Sequence, residues 1–351
     1  MYKNKHKVAV KKEFSILILF LALLISGKSD AQFRSSSSAP PTYEGLYDDP
    51  YGINKLFVHF QPLYFDGFAT NVNLGFGVEA NYYWEDKMNF RAYGRTTYSY
   101  HTDFTRITAQ ENLSDLQIYK PSVFNYFEVG ATYHIKDEEQ DTETKFILYS
   151  KRYKGKKWAA KVPDHIKAPT KVRKIIGARL GGISYKSSFD LRRVVEDQAI
   201  SLADPTVVAI DPNGTLYGNV SALGGYVGAS LTTIKNVAIK FDKTYGMAIS
   251  DLIFNAYFDI LVMPMVTLED IRYRSTPTSS LVTLPTDPIT TNMFGGRLGI
   301  EGKFNRQFGW GYNGEVGLRP GVSGKNFYAL IRISFPVYAT SLSHEVEAFG
   351  K

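Results

Sequence analysis

Between Val72 and Trp84 every second residue is apolar: Val72, Leu74, Phe76, Val78, Ala80, Tyr82 and Trp84 alternate with Asn73, Gly75, Gly77, Glu79, Asn81 and Tyr83. A period of two sustained over that length gives a strand one greasy and one polar face, an arrangement that a helix of the same residues cannot reproduce. The pattern returns from Met88 to Tyr100, Val123 to Ile135, Leu252 to Val262, Phe294 to Phe304, Phe308 to Leu318 and Phe327 to Val337. Weaker versions lie near Lys55 to Phe65, Thr144 to Tyr153, Ile175 to Lys186, Tyr217 to Thr233, Val237 to Asp242 and Tyr245 to Asp251. Such a chain is all-β. Segments of about ten alternating residues separated by turns suit a closed barrel in a membrane or a soluble β-sandwich.

Three observations favour the barrel. The apolar faces are rich in aromatic residues, of which the chain has 24 Tyr and 23 Phe, while the opposite faces carry charges that a barrel would enclose. Connections are of two kinds: Glu85-Asp86-Lys87 and Asn305-Arg306-Gln307 are tight, whereas those near 101–122, 154–174, 188–216 and 263–292 are long. Short turns at one end and long loops at the other are the habit of membrane barrels. Finally, Trp84 and Trp310 both fall on the apolar face beside a tight turn, where an aromatic girdle would meet headgroups on one side of a membrane.

The first 31 residues read as a secretory signal, with a basic stretch from Lys3 to Lys12, an apolar run from Phe14 to Ile25 and a small-residue end at Ser29-Asp30-Ala31. The apolar run is too short for a spanning helix, which needs roughly 18 to 20 residues. The chain has no cysteine, which removes lipid acylation, disulfides and thiolate metal sites. Residues 1–31 carry six Lys against Glu13 and Asp30, so cleavage lowers the formal net charge from +7 to +3. Much of the basicity therefore serves export, and a nucleic-acid partner is not expected. From Gln32 to residue 54 the composition is largely Ser, Pro, Asp and Tyr, which predicts a flexible leader. The barrel is expected over 55–338 and a tail over 339–351.

From about Lys55 to Tyr338 this pattern resembles the outer-membrane β-barrel proteins of Gram-negative bacteria. The resemblance is to a class, and it implies an antiparallel up-and-down transmembrane barrel in the cell outer membrane, surrounded by lipid that includes lipopolysaccharide. Splitting Val237 to Val262 at Asp242-Lys243-Thr244 gives about twelve strands, returns both termini to the periplasm and puts 188–216 on that side too. Ten strands is the alternative.

The lumen holds the main candidate site. If the turn at 305–307 sets the register, Arg297 lies opposite Glu315 on the inward face, with Arg332 diagonal to the same Glu315; Glu79 lies diagonal to Arg91 and Arg95 in the first hairpin. Glu128, Glu301, Lys303 and Arg319 are expected to point inward as well. A second candidate is the basic stretch from Lys151 to Lys174, where Lys154, Lys156, Lys157, Trp158 and Lys161 could grip the phosphates of an anionic surface polymer. The acidic run Asp137 to Glu143 lacks the spacing and glycine of a calcium loop and is expected to be a solvated turn. No metal or cofactor signature is present. His134 is expected to point inward, but no serine is placed to complete a hydrolase constellation around it, so catalysis is not expected.

Two functions suit these features. One is a structural, assembly or anchoring component that engages other envelope or secretion proteins through its long loops and leader. The other is a passive porin-like channel, which would want an uncompensated ring of one charge sign; the inward charges are mixed instead.

Overall fold

The computed structural model describes residues 42–98, 102–103, 117–118, 121–147, 165–200, 216–241, 247–274, 278–305 and 310–340. Ten of its strands form one closed antiparallel barrel: β1 (Leu56–Phe68), β2 (Asn71–Trp84), β3 (Met88–Thr97), β4 (Asn125–Ile147), β5 (His165–Asp190), β6 (Tyr217–Ile234), β7 (Leu252–Leu268), β8 (Phe294–Phe304), β9 (Gly311–Leu318) and β10 (Phe327–Ala339). Each pairs with its neighbours in sequence, and β10 pairs with β1 to close the ring. A sandwich, with its two separate sheets, is excluded.

The alternation read from Val72 to Trp84 is the one the strand adopts, with Leu74, Phe76, Val78, Tyr82 and Trp84 exposed outward and Asn73, Glu79, Asn81 and Tyr83 buried inward. Elsewhere the phase breaks where proline interrupts the ladder. Pro62 falls in the register shift between Gln61 and Tyr64 of β1, Pro264 in the one between Val262 and Met265 of β7, and Pro336 between two shifts in β10. Proline has no N–H to donate, so a bulge is where a sheet tolerates it. The turn between β2 and β3 takes left-handed φ values of 47° at Glu85 and 55° at Asp86, and Lys87 N–H donates to the Trp84 carbonyl at 3.1 Å. This mirror-image turn follows the natural twist of two strands.

The strand count corrects the expected twelve. Val237–Phe241 and Met247–Ser250 form, with Tyr43–Asp48, a separate three-stranded sheet. At 5 and 4 residues they are shorter than any of the ten barrel strands, of which the shortest, β9, has 8. Tyr43–Asp48 also places a strand within the expected leader. With ten strands, the connections after β1, β3, β5, β7 and β9 share one end, here the helix end. The 188–216 segment thus joins the long connections 98–124 and 269–293 and is not at the end that holds the barrel's first and last residues.

A second correction concerns the charged runs. The acidic run 137–143 is no turn and residues 165–174 are no loop: they face each other as paired strands in an extension of β4 and β5 beyond the barrel. Lys171 meets Glu139 at 2.8 Å, Lys167 meets Glu143 at 3.4 Å and Arg173 pairs with Asp137. Opposite charges facing across two strands look, one at a time in sequence, like two solvated loops. The extension packs Phe146 and Ala168 against Val237, Ile239 and Phe241 of the small sheet.

At the helix end, Asp190 caps α1 (Leu191–Gln198), its carboxylate accepting from the N–H groups of Arg192 and Arg193 at 3.0 and 3.4 Å. Its apolar side, Leu191, Val194 and Val195, is buried. The expected signal peptide, the first part of the leader and most of the tail lie outside the described residues.

Candidate functional site

Among the described residues six arginines and six carboxylates face the lumen, and each arginine lies within 3.2 Å of at least one acid. Nearest the helix end, Asp66 holds Arg95 at 2.8 Å and Arg319 at 3.1 Å. In the middle, Arg297 binds Glu128 through two bonds of 2.8 Å, Asp259 at 2.7 Å and Glu315 at 3.6 Å, while Asp259 also takes Arg179 at 2.8 Å. Towards the other end, Arg91 lies 3.1 Å from Glu301 and 3.7 Å from Glu79, and Arg332 lies 3.2 Å from Glu79 and 3.7 Å from Glu301.

These contacts cross the barrel as well as joining neighbours. Arg91 on β3 and Glu301 on β8 stand on opposite walls of the ten-strand ring, and so, nearly, do Glu128 on β4 and Arg297 on β8. Strands about 4.8 Å apart and tilted about 40° make a circular ring of ten roughly 20 Å across between backbones, more than an arginine and a glutamate reach together, so the ring is narrower between these two walls. Tyrosine rings fill the space between. Arg297 lies 4.5 Å over Tyr226, Arg179 4.2 Å over Tyr257, Arg332 4.6 Å over Tyr93 and Arg319 3.9 Å over Tyr328. Glycines opposite make room for them: a Cβ on Gly181 would meet the Tyr226 ring at 2.6 Å. A polar cavity of about 30 Å³, lined by His59, Glu79, Glu301, Lys303 and Arg332 among others, remains, with room for about two waters.

Both mouths are covered. At the helix end the buried side of α1 packs with Phe189, Ile271, Tyr273, Leu284 and Val322 into one cluster with the lumen rings Tyr64, Tyr93 and Tyr126. Gln198 ties the helix down, donating to the carbonyls of Thr290 and Ser323 at 3.2 and 3.0 Å. At the other end residues 49–54 run across the opening. Asn236 Nδ2 donates to the carbonyls of Gly52 and Asp49 at 2.7 and 3.0 Å, Asn54 N–H donates to Asn305 Oδ1 at 2.8 Å, and Ile53 packs on Phe57, Tyr83 and Ile253. Arg173 sits 4.3 Å over the Tyr51 ring. Burial opposes the charge on Arg173, but its bonds to Asp137 and Asp86 outweigh that and raise its pKa above the usual guanidinium value. The Tyr51 hydroxyl is pushed up by burial and by nearby Asp137.

No protein-family model and no curated protein matches the chain. Its reading rests on these residues.

Glu79, Arg91, Arg95, Arg297, Glu315 and Arg332 all face inward, but the partners differ from the sequence expectation. Arg297 is opposite Gly317, not Glu315, and reaches Glu315 diagonally. Arg332 is opposite Asn313 and therefore diagonal to Glu315, as expected, but its ion pairs are with Glu79 and Glu301. Arg297 is displaced because of the connection between β8 and β9: Lys303 pairs with Gly311, so the link is longer than the 305–307 turn assumed. Arg95 stands diagonal to Glu79 but takes Asp66 as its partner. Sequence reasoning missed Asp66, Arg179 and Asp259. Asp259 was visible as the lone acid on the alternating segment from Leu252 to Val262; Asp66 was hidden by the bulge at Pro62, which shifts the phase before it.

Trp84 and Trp310 are 44% and 45% exposed, at the end of β2 and the start of β9 on the side away from α1. Lys154, Lys156, Lys157, Trp158 and Lys161 lie outside the described residues. His134 is tied at the β2–β3 turn, its Nδ1 2.8 Å from the Asp86 carbonyl and 3.6 Å from Asp137.

Proposed function

We propose that this barrel spans the outer membrane of a Gram-negative cell as a structural, assembly or anchoring component, presenting its β4–β5 extension on one side and its lidded loops on the other. The outward wall supports the membrane reading: Leu180, Leu231, Ile260, Phe294, Ile331 and Val337 are among its exposed apolar residues, with Trp84 and Trp310 near one edge. In water, an apolar surface of that extent would drive aggregation.

The observation that carries the functional reading is the occupied lumen. Arginine–carboxylate pairs brace the interior, tyrosines fill it, and a strap and a lid cover its two openings. A passive channel needs a continuous polar path, and six arginines matched by six acids leave no ring of one sign to select a solute. The extension beyond β4 and β5, with its own apolar cluster, is the element best placed to meet another envelope protein.

Single-channel conductance of the purified mature protein in a planar bilayer tests this, after heat-modifiable gel mobility has established a folded barrel. The expected result is a silent bilayer; steady open steps would refute the closed-lumen reading and make the protein a porin-like channel.

A further inference from the structure

Among the described residues the outward face of the ten strands is apolar apart from exposed Lys136 and Lys174, where β4 and β5 leave the barrel at the tryptophan end, and, towards the helix end, Lys186. It alternates with inward Ile183 and Tyr185 and pairs in register with Asn125 and Ser221. None of the described acids forms an ion pair with it. Its height is informative. Trp84 is in register, through Met88 and Tyr133, with Ala178 on β5, which the strand tilt of about 40° sets about 9 Å further towards the helix end. The eight residues from Ala178 to Lys186 rise about 20 Å along the axis at about 3.3 Å each and a tilt of about 40°. Lys186 thus stands near the edge of the apolar band opposite the tryptophans, where headgroups would lie.

Lys186 also borders a groove of about 570 Å³ in the outer wall. Phe76 and Val78 on β2 form one side, Phe127 on β4 rises on the other, and Gly94 and Thr96 of β3 make the floor. Neither crowding nor backbone strain requires a glycine at 94: a Cβ there would sit at ordinary contact distance, 3.7 Å from the Phe127 ring. The absent side chain deepens the groove, at a position where the strand itself would favour a larger residue.

We propose that this groove binds one phospholipid of net negative charge, an acyl chain lying over Gly94 between Val78 and Phe127 and the phosphate, uncompensated by a headgroup cation, seated on the Lys186 ammonium. The proposal rests on the membrane reading above. An outward cation at headgroup height complements a lipid phosphate in charge, and the adjoining slot complements a chain in shape; its volume falls within the range of built ligand sites.

The test is native mass spectrometry of the folded protein released from micelles containing phosphatidylglycerol or phosphatidylcholine with identical chains. One phosphatidylglycerol should be retained about fivefold better than phosphatidylcholine, the size expected for one lysine at a lipid surface. Lys186→Gln should abolish that preference while chain retention persists. Gly94→Leu, or Thr96→Leu where that variant fails to fold, should reduce retention of both lipids. Equal retention of the two lipids by the wild type, or retention by a folded variant with a filled groove, overturns the site and leaves the membrane reading standing. Failure of the wild type to insert into vesicles as a heat-modifiable barrel overturns both.

Discussion

Arg297 is the side chain on which the lumen can be tested most sharply. It is 2% exposed, and Glu128, which it grips through two bonds of 2.8 Å, is 1% exposed. Arg297→Met keeps most of the aliphatic stem and removes only the charged fork. The acids it leaves are not equally stranded. Asp259 retains Arg179 at 2.8 Å, and Glu315 retains the hydroxyls of Tyr257 and Tyr328 at 2.6 and 2.5 Å, but Glu128 keeps only the Tyr126 hydroxyl at 2.9 Å. Breaking a buried pair from one side costs about 3 to 5 kcal/mol, because the remaining charge loses its partner without regaining water. At about 1.4 kcal/mol per decade, this is a shift of roughly two to three and a half decades in the unfolding constant. Urea titration of the folded fraction in lipid vesicles, followed by tryptophan emission and heat-modifiable mobility, reads it directly. Adding Glu128→Gln should cost less in the Arg297→Met background than in the wild type, since the two side chains form one unit. A single variant within about 1 kcal/mol of wild type, the range of an exposed pair, or strict additivity of the two changes, would mean that water reaches this part of the lumen and that the interior is not closed.

Three further outcomes follow from the same contacts. Arg297→Ala combined with Arg332→Ala should lower stability yet stay silent in planar bilayers, because the strap and the lid still cover both mouths; open steps in this variant would show that the charge network alone shuts the lumen. Asn54→Ala removes bonds to the Asn305 carbonyl and side chain at 2.5 and 3.2 Å. It should cost about 1 kcal/mol and speed amide exchange around residues 52–55 before it affects the barrel, and uniform exchange throughout the chain would contradict a separable strap. Glu139→Gln with Glu143→Gln, on the exposed extension, should change the urea midpoint by less than about 1 kcal/mol in total, and a loss above about 2 kcal/mol would place that hairpin in a buried contact.

The strands were legible in the sequence where an apolar face turns outward and a polar face turns to the interior, as from Val72 to Trp84 or Phe327 to Val337. The signal failed for three physical reasons. Short segments outside the barrel, Val237–Phe241 and Met247–Ser250, alternate as well as short barrel strands do, so twelve strands were expected where ten form the ring. Proline bulges at Pro62, Pro264 and Pro336 invert the phase, which hid Asp66. The connection between β8 and β9 fixes a register that no local pattern reveals, so the inward direction of Arg297 was readable while the residue opposite it was not; Arg332 stands diagonal to Glu315 as expected, but its partners Glu79 and Glu301 lie on strands beyond its neighbours. Contacts across the lumen, such as Arg91 with Glu301, join residues on opposite walls and have no sequence signature at all.

Those lumen pairs also supply something that the outer wall cannot. Alternation on the outward side rejects a slip of one residue between neighbouring strands, because every apolar side chain would turn inward, but a slip of two leaves the alternation intact. The row through Arg179, Gly228, Asp259, Arg297 and Gly317 is sensitive to that larger slip, since these residues stand directly opposite one another across five strands. Gly228 lies between Arg179 and Asp259, and because it has no side chain Arg179 can cross β6 to reach the acid on β7. Moving β8 by two residues against β7 would set Arg297 opposite Tyr257 or Leu261 and pull its guanidinium away from Asp259, which is fully buried. The cost of disturbing such a pair, again about 3 to 5 kcal/mol, is enough to disfavour the slipped sheet by orders of magnitude. A barrel that leaves its centre empty has to fix register elsewhere, whereas a filled interior can fix it from within, as the matched charges here do.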